Sequence, residues 1–341
     1  MWPRLVLVHG IGKPRCPVSQ RVLGPSHPRT LLARHAVALD YELSGDYKNA
    51  KELHKQAYAE LSQNVSAVRT VDLLTFWRSL SRAVRLSGEY TEAQMLAEDA
   101  YEFGTTELGL DHLATLRYGR ELANAMRLEG DFAASISLAT DLLDQVQREL
   151  GMNNPDTLAT ATALANSLRA AGQITEAAAI AQDVVARLRA LYPDNHPFAY
   201  GYAGNLALDR RLLGDADGAR ALNQAALEGL AARLGQDHPY TLTVAANLAS
   251  DLAALGEARA ARNLGEQALE RLRRVLGDNH PSALGGAANL SLDLRADGAA
   301  AEGDQLIAGV VDDLTRTLGP THRYTEAAQA RTRIDFDFDP V

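Results

Sequence analysis

The sequence predicts an all-α protein, an α-solenoid built from about seven 42-residue helix pairs and a C-terminal capping helix. The first observation behind this prediction is a constant step between glycines. Gly109, Gly151, Gly235, Gly277 and Gly319 are separated by 42 residues or twice that number, and Pro193 occupies the position left over. The second is that 46% of the residues are apolar but only 6% are aromatic. Ala and Leu therefore account for most of the burial, which is typical of closely stacked helices and not of a single large core.

The first 22 residues do not share the repeat, and we expect them to form an N-terminal extension or the remnant of another domain. Leu5 to Val8, followed by His9 and Gly10, is typical of a short strand that ends in a glycine turn. An α/β-hydrolase would need a Gly-x-Ser-x-Gly elbow, which the sequence lacks. A phosphate-binding loop would need a hydroxyl residue after Lys13, where the sequence has a proline. Both enzymatic interpretations of this stretch therefore fail.

Each repeat begins at a boundary residue just before its first helix. These residues are His27, His112, Asn154, His196, His238, His280 and His322, with one degenerate unit between the first two. The proline that follows most of them suits the first helical turn, where a missing N–H costs nothing, and the polar boundary residue can cap free amides. In the last unit Arg323 replaces this proline. We expect the array to span residues 23–333 and to end with a capping helix from Tyr324 to Arg333.

Two further positions recur within the unit and predict how its helices are joined and packed. A glycine, which can end the first helix in the left-handed conformation, lies 18 residues after each boundary. These glycines are Gly45, Gly88, Gly130, Gly172, Gly214, Gly256 and Gly298. A small residue follows five positions later, where two helices can cross closely. These small residues are Ala50, Ala93, Ser135, Ala177, Ala219, Ala261 and Gly303.

The composition argues against several classes of function. The formal net charge is −9 with acids and bases interspersed, so we expect no nucleic-acid partner. Cys16 is the only cysteine, which excludes an intrachain disulfide and fits a cytoplasmic protein. No apolar run approaches the ~20 residues that cross a bilayer, so we expect no membrane partner. Histidines of successive repeats would be about 10 Å apart, too far to share a metal ion. We therefore expect no cofactor, no metal site and no catalytic residues.

The repeating motif is clearest between Leu234 and Gly256. It reads Leu-Gly-x-x-His-Pro-x-Thr-Leu, then Asn-Leu-Ala from Asn247, then the glycine. This unit resembles tetratricopeptide repeats of the kinesin-light-chain type. The variant Asn-Leu-x-x-Asp-Leu-Arg, from Asn289 to Arg295, is most similar to arrays of actinobacterial proteins, including those of FxSxx-COOH peptide systems and of nucleotide-binding regulators. The resemblance covers about residues 24–333 and implies a right-handed superhelix.

The resemblance also implies that each first helix turns its polar half toward the concave side. At 100° per residue, offsets 2, 6, 9, 13 and 16 from the boundary share one polar sector, where we expect a ligand. The candidate groove residues in this sector are Asn205, Asn247 and Asn289, then Asp209, Asp251 and Asp293, and the aromatic residues Phe198, Tyr202, Tyr240 and Tyr118. In proteins of this type the asparagine holds the backbone of an extended peptide, as an amide that both donates and accepts can do. The alternative is that the Asn and Asp side chains only hydrogen-bond neighbouring helices and specify their stacking.

Two other features receive weaker functional predictions. Four arginines lie outside the predicted sector, and we expect them to be solvated or bridging charges. They are Arg127, Arg169, Arg211 and Arg295. Residues 334–341 alternate acidic and aromatic side chains, and we expect a frayed acidic C-terminus. The alternative for these residues is a short linear ligand that folds back on the array or is offered to a partner by strand addition.

The function predicted from the sequence is that of a non-catalytic scaffold that binds a protein or peptide on its concave face. The row of aspartates predicts a ligand with an extended, basic segment. The alternative function is the sensor or regulatory region of a larger signalling or defence enzyme, with residues 4–13 as what remains of its catalytic domain. A third hypothesis is a self-associating array, because solenoids with exposed ends can stack on one another.

Overall fold

The computed structural model describes residues 21–62, 70–192 and 196–339, and over these ranges the chain is helical without a β-strand. The helices are α1 (Pro28–Leu43), α2 (Tyr47–Ser62), α3 (Thr70–Leu86), α4 (Tyr90–Leu108), α5 (Leu113–Glu129), α6 (Phe132–Leu150), α7 (Pro155–Ala170), α8 (Ile174–Leu191), α9 (Pro197–Leu212), α10 (Ala216–Leu234), α11 (Pro239–Ala254), α12 (Ala258–Leu276), α13 (Pro281–Ala296), α14 (Ala300–Leu318) and α15 (Arg323–Ala330). They form seven pairs, α1–α2 to α13–α14, and α15 closes the C-terminal end. The predicted solenoid is therefore confirmed.

The strand and glycine turn predicted for residues 4–13 lie outside the described residues. Of the helices that the structure describes, none is both long enough and apolar enough to cross a membrane.

The two helices of a pair are joined by a tight turn that requires glycine. Gly256 has a φ of 79°, in the left-handed region where a β-carbon would be strained. The next amide, of Glu257, donates to the Leu252 carbonyl at 2.9 Å and closes the turn. The predicted glycines of the other six pairs also have positive φ, which confirms this part of the prediction.

The small residues predicted at the helix crossings are buried in every pair. Ala261 has no exposed surface. At Gly303 an added β-carbon would lie 2.6 Å from the Ser291 carbonyl oxygen of the preceding helix. Side-chain volume is thus limited by the backbone of the facing helix, and the position serves packing, as predicted.

The boundary histidines cap the first helices through Nδ1. The Tyr240 amide donates to His238 Nδ1 at 3.1 Å, and the Ser282 amide donates to His280 Nδ1 at 3.1 Å. Asn154 does the same with its side-chain oxygen. The predicted capping role is therefore confirmed, and it fixes the neutral tautomer that carries its proton on Nε2.

Three of these histidines also connect successive turns of the superhelix. Nε2 donates to a backbone carbonyl in the His238–Leu43 (3.1 Å), His280–Leu86 (3.1 Å) and His322–Leu128 (2.8 Å) pairs. In each pair the carbonyl belongs to a repeat five units earlier, so five repeats complete one turn. The concave face therefore lines a channel that is enclosed where the turns meet. Burial at these contacts lowers the pKa of His238 and of His280 to about 4.

The capping helix α15 ends three residues earlier than predicted. It ends at Ala330 because Arg331 adopts a left-handed conformation with a φ of 56°. The amide of Thr332 then donates to the Ala327 carbonyl at 2.9 Å. The chain leaves the helix at this turn and enters the channel.

Candidate peptide-binding groove

The channel contains residues 334–339 of the chain itself, which we call the tail. The three predicted asparagines each hold one tail residue by both its N–H and its C=O. In each case the tail N–H donates to the asparagine Oδ1, and the asparagine Nδ2 donates to the carbonyl of the same tail residue. The two distances, in that order, are 2.8 and 2.8 Å for Ile334 on Asn289, 3.4 and 2.9 Å for Phe336 on Asn247, and 2.8 and 2.9 Å for Phe338 on Asn205. This pairing resembles that between strands of a sheet, with a side-chain amide in place of one strand.

The tail advances two residues for each repeat and runs from the seventh helix pair toward the second. Asn166, one repeat before Asn205, also donates to the Phe338 carbonyl at 2.9 Å. Because alternate residues are bound, the tail backbone is extended, and its side chains point in turn to two opposite sides of the groove. The expectation of a frayed C-terminus is therefore wrong for residues 334–339. The alternative, a linear ligand that folds back on the array, describes them.

One side of the groove receives the apolar side chains of the tail. Ile334, Phe336 and Phe338 are at most 5% exposed. Phe338 packs on glycines of α9, where an added β-carbon at Gly204 would lie 3.1 Å from its ring. Phe338 also meets the edge of Tyr240, with ring centroids 5.3 Å apart. Glycine is needed here because the aromatic rings lie directly against the helix backbone.

The other side of the groove receives the three carboxylates of the tail on a row of arginines at offset 15 of successive repeats. The ion pairs are Arg211–Asp335 (2.6 Å), Arg169–Asp337 (2.6 Å), Arg127–Asp337 (2.5 Å), Arg127–Asp339 (2.6 Å) and Arg85–Asp339 (2.7 Å). Burial alone would raise the pKa of Asp337, but the charges of Arg127 and Arg169 outweigh it and hold that pKa below its usual range. Each of the three tail aspartates therefore forms at least one ion pair with an arginine of the array.

The arginine row corrects two sequence predictions. Arg127, Arg169 and Arg211 are not solvated, and Arg127 has no exposed surface. Arg169 and Arg211 do bridge repeats, through Asp209 and Asp251. Arg295 is the solvated member of the four, with an exposed ion pair to Asp304. The prediction of a basic ligand is also wrong for the segment that occupies this groove, which is acidic.

The aspartates explain why the groove does not select for positive charge. Asp209 accepts hydrogen bonds from Arg169, and Asp251 accepts them from Arg211 and Asn223. Asp293 pairs with Arg333, just before the tail. Burial raises the pKa of Asp209 and Asp251 above its usual range, although their arginine partners oppose the shift. These carboxylates neutralise and orient arginines of the array, so they support the groove without contacting the tail through any hydrogen bond or ion pair among the described residues.

The predicted aromatic residues divide into two groups. Phe198, Tyr202 and Tyr240 line a small cavity beside Phe338, as expected of groove residues. Tyr118 is only 2% exposed and packs against Gly104 of α4. Tyr118 therefore packs between helices in this structure, and its predicted place in the groove stays a prediction.

Sequence reasoning missed Asn166, Arg85 and the glycine floor of the groove. Residues that contact the tail occupy offsets 2, 5, 8, 9, 12 and 15, whereas the predicted sector comprised offsets 2, 6, 9, 13 and 16. At 100° per residue, the centre of the observed contact sector is rotated by roughly 70° about each helix axis from the centre of the predicted sector. The recurrence of arginine at offset 15, together with acids at every second position of residues 335–339, was the signal that could have revealed it.

Comparisons with known proteins agree with this architecture. Two family models of the tetratricopeptide repeat match the sequence, one over residues 113–190 and one over residues 241–282. None of the curated proteins compared matches the chain. One similar solved structure is a kinesin light chain protein of Podosopora anserina with nearly identical TPR-like repeats. Its sequence is 26% identical to this one, and the aligned region covers 60% of this chain and 98% of the Podosopora chain, with a TM-score of 0.48.

Two further solved structures share the fold over most of the chain at low identity. The Rap conjugation gene regulator of plasmid pLS20, in complex with its Phr peptide, is 10% identical and covers 93% of this chain and 80% of its own, with a TM-score of 0.67. NprR in complex with its cognate peptide NprX is 10% identical and covers 88% of this chain and 83% of its own, with a TM-score of 0.60. Residues 113–190 and 241–282 thus match the tetratricopeptide repeat, and the described chain winds into an α-solenoid.

Proposed function

We propose that this protein is a non-catalytic scaffold that binds an extended peptide or protein segment in the channel along its concave face. The observation that carries the proposal is the pairing of Asn205, Asn247 and Asn289 with both polar groups of one tail residue each. Such pairing binds the backbone of any ligand in this conformation, and the side chains of the ligand then determine its affinity. A groove that binds the tail this way can bind a second segment in the same conformation.

The solved relatives support the same use of the fold. The Rap regulator and NprR were both determined in complex with peptides. Their similarity to this chain concerns the fold, and the bound segment described above supplies the separate observation about ligand geometry. The peptide complexes favour a peptide as the class of partner, and the geometry of the bound tail favours an extended conformation for it.

The tail acts as an occupant that a partner must displace. Its apolar side chains are buried and each of its carboxylates contacts at least one arginine, so the groove cannot hold a second segment at the same time. Arg127 has no carboxylate partner among the described residues other than Asp337 and Asp339. Departure of the tail would leave this buried charge unpaired, which is costly unless another anion replaces it. The proposed partner therefore exchanges with the tail and carries acidic residues itself.

The proposal is tested on the full chain with Phe336→Ala and Phe338→Ala, which we call the loose-tail variant. A phage-displayed library of random peptides is selected against it, and enriched peptides are measured by fluorescence anisotropy. We expect enrichment of extended acidic sequences and loss of their binding when Asn205, Asn247 and Asn289 are changed to alanine.

The matched control is Asn49→Ala, which removes an exposed asparagine of α2 that bonds only to Asp46 among the described residues. It should leave binding unchanged. Circular dichroism confirms that each variant is folded. Failure to enrich any peptide, or enriched peptides that bind the triple asparagine variant as well as its parent, would show that the channel is not a peptide-binding groove.

A further inference from the structure

We propose that Arg78, Arg82, Arg120 and Asn124 form an anion-binding subsite that extends the groove by one repeat beyond the tail and takes a carboxylate of the partner segment. This inference rests on the proposed function, since it specifies the partner more closely. It adds a fourth acidic position to the three that the tail fills.

The four residues lie on the helix faces that already contact the tail. Arg78 and Arg82 precede Arg85 on α3 by seven and three residues, and Arg120 and Asn124 precede Arg127 on α5 by the same intervals. Residues three, four and seven apart share one face of a helix. Arg85 and Arg127 hold Asp339, so the proposed subsite follows directly after the last described residue of the tail.

Buried polar groups without partners mark the subsite. Asn124 is 1% exposed, and within residues 21–62, 70–192 and 196–339 neither its amide nitrogen nor its oxygen has a hydrogen-bond partner. The Nε of Arg82, which is 6% exposed, also lacks a hydrogen-bond partner in the described part of the chain, and its nearest carboxylate oxygen, of Glu42, is 3.7 Å away. Leaving buried polar groups unpaired is unfavourable, and such groups in a groove indicate a ligand that completes them.

The charge balance around the subsite favours an anion. Glu121 is bound by Arg85, and Asp156 is shared between Arg117 and Arg120. The remaining carboxylate, Glu42, lies 3.7 Å from Arg82 and is also hydrogen-bonded to His54.

Arg78 has no ion pair with a carboxylate among the described residues. Burial and the positive charges of Arg120 and Arg82 lower the pKa of Arg78. More guanidinium groups than carboxylates therefore converge here.

The spacing of the ligand specifies where its fourth acid must be. Asn166 binds the Phe338 carbonyl, and Asn124 stands exactly one 42-residue repeat earlier. The ligand advances two residues for each repeat. Asn124 should therefore bind the ligand residue two positions after the one equivalent to Phe338, and the fourth acidic side chain should lie two positions after the one equivalent to Asp339. This chain has Val341 at that position, so its side chain cannot supply the charge. A partner with an acid there makes a contact that the tail side chains do not.

The experiment compares three fluorescein-labelled peptides that copy residues 333–340 and add one residue. The first ends in an amidated Asp, the second in an amidated Asn and the third in an Asn with a free carboxylate. Their affinities for the loose-tail variant are measured by fluorescence anisotropy. We expect the first to bind about tenfold more tightly than the second, as one added charge-assisted hydrogen bond would cause. Equal affinity of the third and the first would assign the carboxylate to a chain terminus, and weaker binding would assign it to a side chain.

Two substitutions test the residues themselves. Arg78→Gln and Asn124→Leu, each in the loose-tail variant, should abolish the tenfold difference, and Arg78→Gln should leave the affinity of the amidated Asn peptide unchanged. Arg295→Gln, which alters an exposed arginine of α13, should preserve the difference.

Equal binding of the amidated Asp and Asn peptides would overturn the subsite while leaving the groove itself intact, as would a tenfold difference that survives Arg78→Gln. If none of the three peptides bound, the proposed function would fail together with the subsite.

Discussion

The tightest contact between the tail and a glycine of the array involves Phe336 and Gly285 of α13. A β-carbon at Gly285 would lie 2.9 Å from Phe336 Cε1, 3.0 Å from its Cζ and 3.3 Å from Ile334 Cγ2. In a helix interior, alanine is more favourable than glycine by about 1 kcal/mol. Gly285→Ala should therefore stabilise α13 by this amount and destabilise the complex with the tail by overpacking, which typically costs about 1–3 kcal/mol.

These opposing effects are separated by a double-mutant cycle in the full chain. We expect Gly285→Ala alone to leave the free energy of unfolding unchanged or lower it by up to about 2 kcal/mol. When Phe336→Ala has removed the ring, the same change should raise it by about 1 kcal/mol. The coupling between the two substitutions is then about 1–3 kcal/mol, whereas independent sites add within about 0.5 kcal/mol.

Urea unfolding followed by far-ultraviolet circular dichroism measures the cycle. Gly309 provides the matched control because it lies in the interior of α14, is exposed, and would have nothing within 4 Å of an added β-carbon. Gly309→Ala should stabilise both backgrounds by about 1 kcal/mol. If Gly285→Ala stabilised the unsubstituted chain as much as Gly309→Ala does, Phe336 would not rest on Gly285 and the description of the groove would be incorrect.

Two other predictions concern the array. The pKa of His238 falls from 6.5 to about 4 on folding, so the unfolded chain binds more protons between these values, and the stabilisation present above pH 6.5 is lost as the pH falls toward 4. His238→Asn keeps a capping side chain, as Asn154 does, and should reduce the loss of stability on acidification by about 1–3 kcal/mol at pH 4–5. His112→Asn, at an exposed cap, is the control for this thermal-melting series, and an equal change in both variants would contradict the assignment. Separately, Ala261→Leu should lower the free energy of unfolding by about 1–3 kcal/mol, because the crossing it occupies is fully buried. A urea midpoint at or above that of the parent protein would contradict this prediction, because it would mean that α12 moves away from the facing helix and accommodates the larger side chain.

The repeat period was sufficient to predict the helix pairs, because glycines such as Gly256 and small residues such as Ala261 have local steric reasons for their positions. Of the four asparagines that bind the tail, Asn205, Asn247 and Asn289 were also predicted, and Asn166 was not. The role of the arginines was not, because a helical wheel describes one helix, whereas the position of the ligand depends on how tightly the superhelix is wound. Arg127, at offset 15, lies outside the predicted sector and yet forms ion pairs with Asp337 and Asp339 of the tail.

The position of the tail was the other part that periodicity could not determine. It depends on the left-handed conformation of Arg331, a residue type that gives little local indication of such a turn. Without that turn α15 would continue to Arg333, as predicted. The alternation of acids and aromatics in residues 335–339 fits a row of arginines and a glycine floor, but those two surfaces exist only once the repeats have been stacked.

The hydrogen bonds between successive turns also change how the array unfolds. In an open solenoid each repeat gains stability from its nearest neighbours, so the terminal repeats fray first. Here His238 contacts Leu43, a residue 195 positions earlier, and the two following histidines tie the second and third repeats to the last repeat and α15. The entropy lost in closing so long a loop grows only slowly with its length. Fraying of either end must therefore break contacts with the other. Amide hydrogen exchange should then occur at similar rates in the first and last repeats, as in a globular domain with one cooperative transition.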